Sequence, residues 1–298
     1  MTAATAAPAG PAAVASPRRA RSVSLTSRTG AFAVMALFAL YTLVPVWWLL
    51  VTATKNKGYL FTTNPLWFSH FDLWNNILDV FHQQDGIFAR WMLNSVIYCV
   101  GGAAASTLLS AMAGYALAKF SFRGRELAFN IVLGAVLVPS VMFALPLYLM
   151  FSEIHLVNTY WAVLLPSMAS PFGVYLSRVY AAASVPDEML EAGRVDGASE
   201  ARIFWRIAIP IMLPALVTVF LFQFVVVWNN YLLPVLMLNN DALQPVTVGL
   251  ANWREQMNGG IPYNVTVTGA FLSVFPLIIA FLALQRFWRS GLAAGSVK

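Results

Sequence analysis

Few side chains in this sequence could make or break bonds, and they are scattered. The single cysteine, Cys99, stands among small apolar residues and supports neither a disulfide framework nor a thiolate-only metal site. Of the three histidines, His70 and His82 lie near Asp72 and Asp79, but that spacing matches no metal-ligand pattern; ordinary loop surface is the expected reading. No metal and no cofactor is expected. A membrane-embedded enzyme would need acids, histidines or a nucleophile gathered at one depth, and all twelve acids fall outside the long charge-free segments. No phosphate cradle of the form GxxxxGK[ST] occurs, so the chain is not expected to hydrolyse nucleotide itself. The polar groups inside the apolar segments are neutral: Gln223, Asn229 and Asn230, flanked by Trp228 and Tyr231. Such groups should face protein or a wet cavity, and Gln223 and Asn230, seven apart, would share one helix face.

The elements that carry these residues follow from composition. The chain has 298 residues, 59% apolar and only 10% charged, against about 25% charged in an ordinary soluble domain. That excess of apolar side chain must face lipid. The net charge of +6 does not point to nucleic acid, because the basic residues are spread over several short segments. Six charge-free windows are long enough to cross a bilayer, which takes about 20 residues each: 29–54, 91–118, 127–152, 156–177, 207–240 and 256–285. None alternates apolar and polar residues as a barrel strand does, so an all-α integral membrane protein with six transmembrane helices is expected. Pro210 and Pro214 place the fifth helix proper at about 215–238, and the sixth is expected at 265–285. Gly102 with Ser106, and Ser110 with Gly114, are spaced for close helix packing.

With an even number of spans both termini share a side. Placing them in the cytoplasm puts 14 lysines and arginines inside and 4 outside, the bias expected of short cytoplasmic loops. The expected order is a disordered cytoplasmic tail at 1–30, a first span at 31–51, an external loop at 52–90, a transport core at 91–285 and a cytoplasmic tail at 286–298. The first span is longer than the apolar core of a cleaved signal, which favours a retained tail.

The internal loop at 179–211 looks folded. Ser184, Pro186 and Asp187 read as a helix start, running to about Val195; Gly197 can take the left-handed conformation that ends it, and Ser199 can cap a second short helix. Ala192 and Gly193 leave part of the first helix nearly bare, a surface that another protein's backbone could approach. An amphipathic loop resting on headgroups is the competing reading.

The run Glu191, Ala192, Gly193, then Gly197, Ile207, Ile209 and Pro210 resembles the EAA loop of permease subunits of binding-protein-dependent ABC importers. The text EAGRVDGASEARIFWRIAIPIMLPAL is similar to the carbohydrate branch, in particular the second permease of maltose-type systems. TYWAVLLPSMASPFGVYLSR at 159–178, VWNNYLLP at 227–234 and QRFWRSGLAAGSVK at the end agree in order, so the resemblance covers 91–298. Glycine stands at 193 where the motif has its second alanine, isoleucine at 209 where it has leucine, and Asn230 where the family usually has an acid. The resemblance implies a coupling helix between the fourth and fifth spans, with Glu191, Ala192, Gly193, Asp196 and Gly197 facing or shaping the ATPase contact. It implies a dimer of ATPase subunits, a second permease, an extracytoplasmic solute-binding protein and a place in the cytoplasmic membrane. It implies import of a sugar or oligosaccharide, with a polyol or glycerophosphodiester as the alternative solute. Gln223, Trp228, Asn229, Asn230 and Tyr231 then become candidates for the translocation path, since amides suit sugar hydroxyls and aromatic planes suit sugar rings. Interhelical hydrogen bonding competes with that role. A channel is the rival class, against which the folded loop argues for an energised partner.

Overall fold

The computed structural model describes residues 25–256 and 260–294; the tail residues 1–24 and 295–298 lie outside it. Thirteen α-helices occur among the described residues: α1 (Leu25–Ala53), α2 (Leu73–His82), α3 (Ile87–Lys119), α4 (Arg125–Leu137), α5 (Ala144–Glu153), α6 (Trp161–Ser167), α7 (Pro171–Ser184), α8 (Asp187–Val195), α9 (Glu200–Ile203), α10 (Ile209–Trp228), α11 (Leu232–Met237), α12 (Val246–Glu255) and α13 (Tyr263–Ala294). The described backbone forms no strand, only an isolated bridge between Lys55 and Phe71. Residues 25–30 lie within α1 and residues 286–294 within α13, so the described parts of both expected tails are helical.

The chain divides at Trp47 into two units. In the first, α1 exposes Phe32, Leu37, Phe38 and Tyr41, a surface suited to lipid and not to water. All the other helices belong to the second unit, from Trp48 onward.

Four helical stretches are long and apolar enough to cross a membrane, at Thr29–Ala53, Leu73–Lys119, Glu200–Trp228 and Tyr263–Phe287. A fifth is reached if Arg125–Leu137 and Ser140–Glu153, bent by 99°, act as one span. The single helix expected over 127–152 is broken in two: Val138 is extended and precedes Pro139, which disfavours helix in the residue before it and starts a new direction. The window 156–177 is also broken, into α6 and α7, where Ser170 takes an extended backbone, caps Gly173 N and places Pro171 in the first turn. The fifth window stops at Trp228 and resumes as the short α11. The run Leu73–Lys119 is too long for one crossing. Gln84, Asp85 and Gly86, all with positive φ, turn the chain between α2 and α3, and α3 alone is long enough to span.

α3, α7 and α10 form the centre of the second unit, and small residues let them approach. A Cβ on Gly102 would meet the Ser167 Cβ at 2.8 Å, one on Gly173 would meet Ser110 Oγ at 2.5 Å, and one on Gly114 would meet the Ser177 Cβ at 2.5 Å. The small-residue spacing in the sequence thus marks a closely packed helix face. One apolar cluster, including Trp91, Tyr98, Phe224, Trp228 and Trp253, fills the side of the N-terminal half of α3. A second, including Ala111, Tyr115, Leu190, Ile203 and Met212, fills that of its C-terminal half.

Candidate functional site

The α8–α9 hairpin is built from local signals. Asp187 and Glu188 occupy the first turn of α8 and Arg194 the last, each at the helix end whose dipole favours its charge. The helix stops at Gly197, φ +76°, where no atom lies near a hypothetical Cβ; the glycine is required by backbone conformation and not by crowding. Ala198 N donates to Gly193 O at 3.0 Å and Gly197 N to Arg194 O at 3.0 Å, the paired bonds of a Schellman turn. Ser199 then accepts from Arg202 N, as expected. Ser184 does not cap α8: it is the last residue of α7, and the N-cap is Pro186, which supplies no side-chain bond.

The second helix is not a separate short element. Glu200–Ile203 passes through a π-helical stretch, Phe204–Ala208, directly into α10. The hairpin is thereby continuous with a long apolar helix. Arg194 and Glu200 close it with a forked pair, Nε to Oε1 at 2.7 Å, and the carboxylate holds the guanidinium above its ordinary pKa.

Leu190 and Gly193 point inward, and a Cβ on Gly193 would meet Ile203 and Ile207 side-chain carbons at 3.2 and 3.3 Å. The close approach expected of a foreign backbone at Gly193 is thus taken by this chain's own isoleucines. Glu188, Glu191, Ala192 and Val195 occupy the opposite, exposed face at helical spacing, with Asp196 exposed beside them. Val195 is 87% exposed, an apolar side chain without cover in the described structure.

Of the path candidates, Gln223 is buried and its Nε2 donates to Ser167 O at 2.8 Å, a bond between α10 and α6. Trp228 is buried and stacked on Phe224. Asn229 is exposed, its amide returning to Val225 O. Asn230 Oδ1 accepts from Leu233 N and its carbonyl from the Thr247 hydroxyl; Tyr231 is exposed. The shared helix face expected for Gln223 and Asn230 is not formed, because α10 ends at Trp228.

A polar site that sequence reasoning missed lies on the N-terminal half of α3. Arg90, Trp91, Asn94 and Tyr98 all donate to carbonyls of the loop between α11 and α12: Trp91 Nε1 to Asp241 O at 2.8 Å, Arg90 Nε to Ala242 O at 3.0 Å, and Tyr98 OH to Leu243 O at 2.8 Å. Asn94 Nδ2 reaches both Ala242 O and Gln244 O, while its Oδ1 accepts from Tyr160 OH. The available signal was a polar pair, Asn94 and Ser95, in an apolar helix; Ser95 Oγ accepts from Val246 N at 2.8 Å. In the segment that follows α1, Lys55 is buried with its ammonium on Asn64 O at 2.5 Å, and desolvation lowers its pKa. The Asp72 carboxylate accepts from the Asn56 and Asn75 amides, and the His70 ring stacks on Tyr59.

These features describe an all-helical chain, among the described residues, with helices long and apolar enough to cross a membrane and a capped α8–α9 hairpin packed on its core. Residues 106–292 match the family described as binding-protein-dependent transport system inner membrane component, and the chain belongs to that family. Its relatives include an arabinooligosaccharide transport system permease of Halalkalibacterium halodurans, 34% identical over 75% of this chain and 79% of that one. A lactose transport system permease of Rhizobium radiobacter is 29% identical over 86% and 91% of the two chains. An sn-glycerol-3-phosphate transport system permease of Yersinia pestis is 26% identical over 84% and 90%. Among solved structures, a chain of a bacterial ABC transporter involved in import of the acidic polysaccharide alginate superposes with a TM-score of 0.77 at 22% identity, covering 90% of this chain and all of that one. That likeness shows a shared fold.

Proposed function

We propose that this chain is one of two permease subunits of an ABC importer for a sugar or oligosaccharide, moved by a pair of separate ATPase subunits. The observation that carries the reading is the hairpin: its inner face is locked into this chain's own core while Glu191, Ala192 and Val195 stand free on a rigid edge. A lever of this kind converts a push on its exposed face into motion of the helices behind it, because the Schellman turn and the Arg194–Glu200 pair resist bending at the tip.

In this reading α8 is the coupling helix, Glu191 faces the ATPase subunit, and both termini and the hairpin lie in the cytoplasm, as the lysine and arginine bias favours. The bent pair α4–α5 and the broken α6–α7 would supply the third and fourth of six crossings. An extracytoplasmic binding protein delivers the solute, and the helices rock about a central path. Arabinooligosaccharide and lactose relatives favour a sugar. The sn-glycerol-3-phosphate relative keeps a polyol or glycerophosphodiester as the second reading.

The test is a cysteine at Glu191 in the intact complex. A disulfide or short bifunctional crosslink from Glu191→Cys to a copurifying ATPase is expected. Protection of that cysteine by lipid, or its labelling from outside intact cells, overturns the assignment. Uptake of labelled arabinooligosaccharide against labelled glycerophosphodiester separates the two solute readings.

A further inference from the structure

We propose that Lys119 is a positioning residue that clamps the hinge at the base of α8 and ties α8 to α3, an inference that rests on α8 being the docking helix. Lys119 is the last residue of α3, and its side chain is only 5% exposed. Its ammonium donates to Val185 O at 2.6 Å and pairs with Asp187 Oδ1 at 2.8 Å. Those two acceptors stand on opposite sides of the junction between α7 and α8.

That junction is the weak point of the lever. Val185 has an extended backbone, φ −94° and ψ 109°, and Pro186 follows with φ −69° and ψ 135°. Proline has no N–H to donate, so no hydrogen bond from that residue can brace the bend. Rotation about Val185 and Pro186 would let α8 swing without moving the helices above it. The far end of α8 is already fixed to α9 by the Gly197 turn and the Arg194–Glu200 pair. The N-cap makes no side-chain bond, so beyond the packing of the buried Val185 and Leu190 the near end of α8 needs a polar restraint to fix it. The Lys119 ammonium supplies that restraint. It sits where the carbonyl end of α7 carries partial negative charge, and it draws in the first carboxylate of α8.

The Asp187 carboxylate is 73% exposed whereas the lysine is buried. An exposed pair of flexible side chains is normally worth little. Here the cation is held out of water and both of its bonds reach from α3, so one residue joins the ends of α3 and α7 to the start of α8.

The experiment uses the full chain in its purified complex, with Cys99→Ser as background and spin labels at Met189→Cys on α8, exposed but off the docking face, and Met112→Cys on α3. Distances are read by pulsed electron resonance with and without ATP and vanadate, alongside ATP hydrolysis. The unaltered Lys119 should give one narrow distance in both states, with α3 following α8. Lys119→Met should broaden and lengthen the distribution, with hydrolysis retained, and Lys119→Arg should restore it. A distribution in Lys119→Met identical to that of Lys119 overturns the proposal, as does a loss of hydrolysis and assembly together that Lys119→Arg does not rescue. If Lys119→Met fails to accumulate, Asp187→Asn decides, since it cuts one arm of the clamp at an exposed site; an unchanged distance there also overturns it. Absence of any ATPase from the unaltered complex defeats the docking assignment instead. The narrow-against-broad comparison needs no partner and still decides the role of Lys119.

Discussion

The two ends of α3 are held by different means. Toward its N-terminus, α3 grips the loop 241–246 with donors from Arg90, Trp91, Asn94 and Tyr98 that satisfy backbone carbonyls. Toward its C-terminus, it packs mainly through Gly114, Ala111 and Tyr115 against α7 and an apolar cluster that includes Leu190 and Ile203 of the hairpin, with the Lys119 ammonium as a polar tie at the very end. A loop has carbonyls to satisfy and no periodic apolar face to bury, so polar side chains must hold it. A helical hairpin satisfies its own backbone and can be held by packing, which leaves one face free for another protein. On the proposed reading, the difference separates a part built to stay from a part built to carry force.

That comparison is most exposed to Trp91→Ala. The indole is 1% exposed, and a Cβ on Gly249 would meet its ring at 2.2 Å, so truncation opens a large void at the loop. The expected loss is about 3–5 kcal/mol. Limited proteolysis in detergent should cut at 241–246 while the hairpin keeps its protection; equal loss at both ends would break the comparison. Asn94→Leu comes next, since it strands the Gln244 carbonyl and the Tyr160 hydroxyl and leaves Ala242 O to Arg90 alone, at about 1–3 kcal/mol for each group left without a partner. Faster amide exchange confined to the loop and its α3 neighbours is the expected result.

At the other end, Gly197→Val forces a β-branched residue to φ +76°, costing about 1–2 kcal/mol. Uptake should fall steeply with membrane insertion and ATPase association retained, whereas Gly197→Asn should be much milder. The smallest effect is expected from Gln223→Leu, whose single interhelical bond is worth about 0.6 kcal/mol and at most about 1.7. The melting midpoint in detergent should move little and uptake should persist. A collapse of uptake at unchanged stability would favour a place for Gln223 on the translocation path.

Legibility differed from residue to residue. Gly197 could be read from the chain because a left-handed helix stop depends on one residue's own backbone. The hairpin's inner and outer faces could not be read, since Ala192 and Gly193 are alike in sequence and only the isoleucines at 203 and 207 decide which is covered. The bend at Val138 and Pro139 escaped because hydropathy averages over a window and registers no direction. The α3 grip escaped because its acceptors are backbone carbonyls about 150 residues away, which no side-chain pattern announces.

The order of residues determined the solvent, the all-helical secondary structure and the hairpin's punctuation, all of which follow from local composition, backbone preference and the cost of unpaired polar groups in lipid. Only the folded chain decided which amides were consumed in packing, where the apolar windows broke, and that Lys119 would reach across the junction of α7 and α8. Those outcomes depend on which groups meet across long stretches of sequence, and proximity of that kind is a property of the packed helices rather than of any segment.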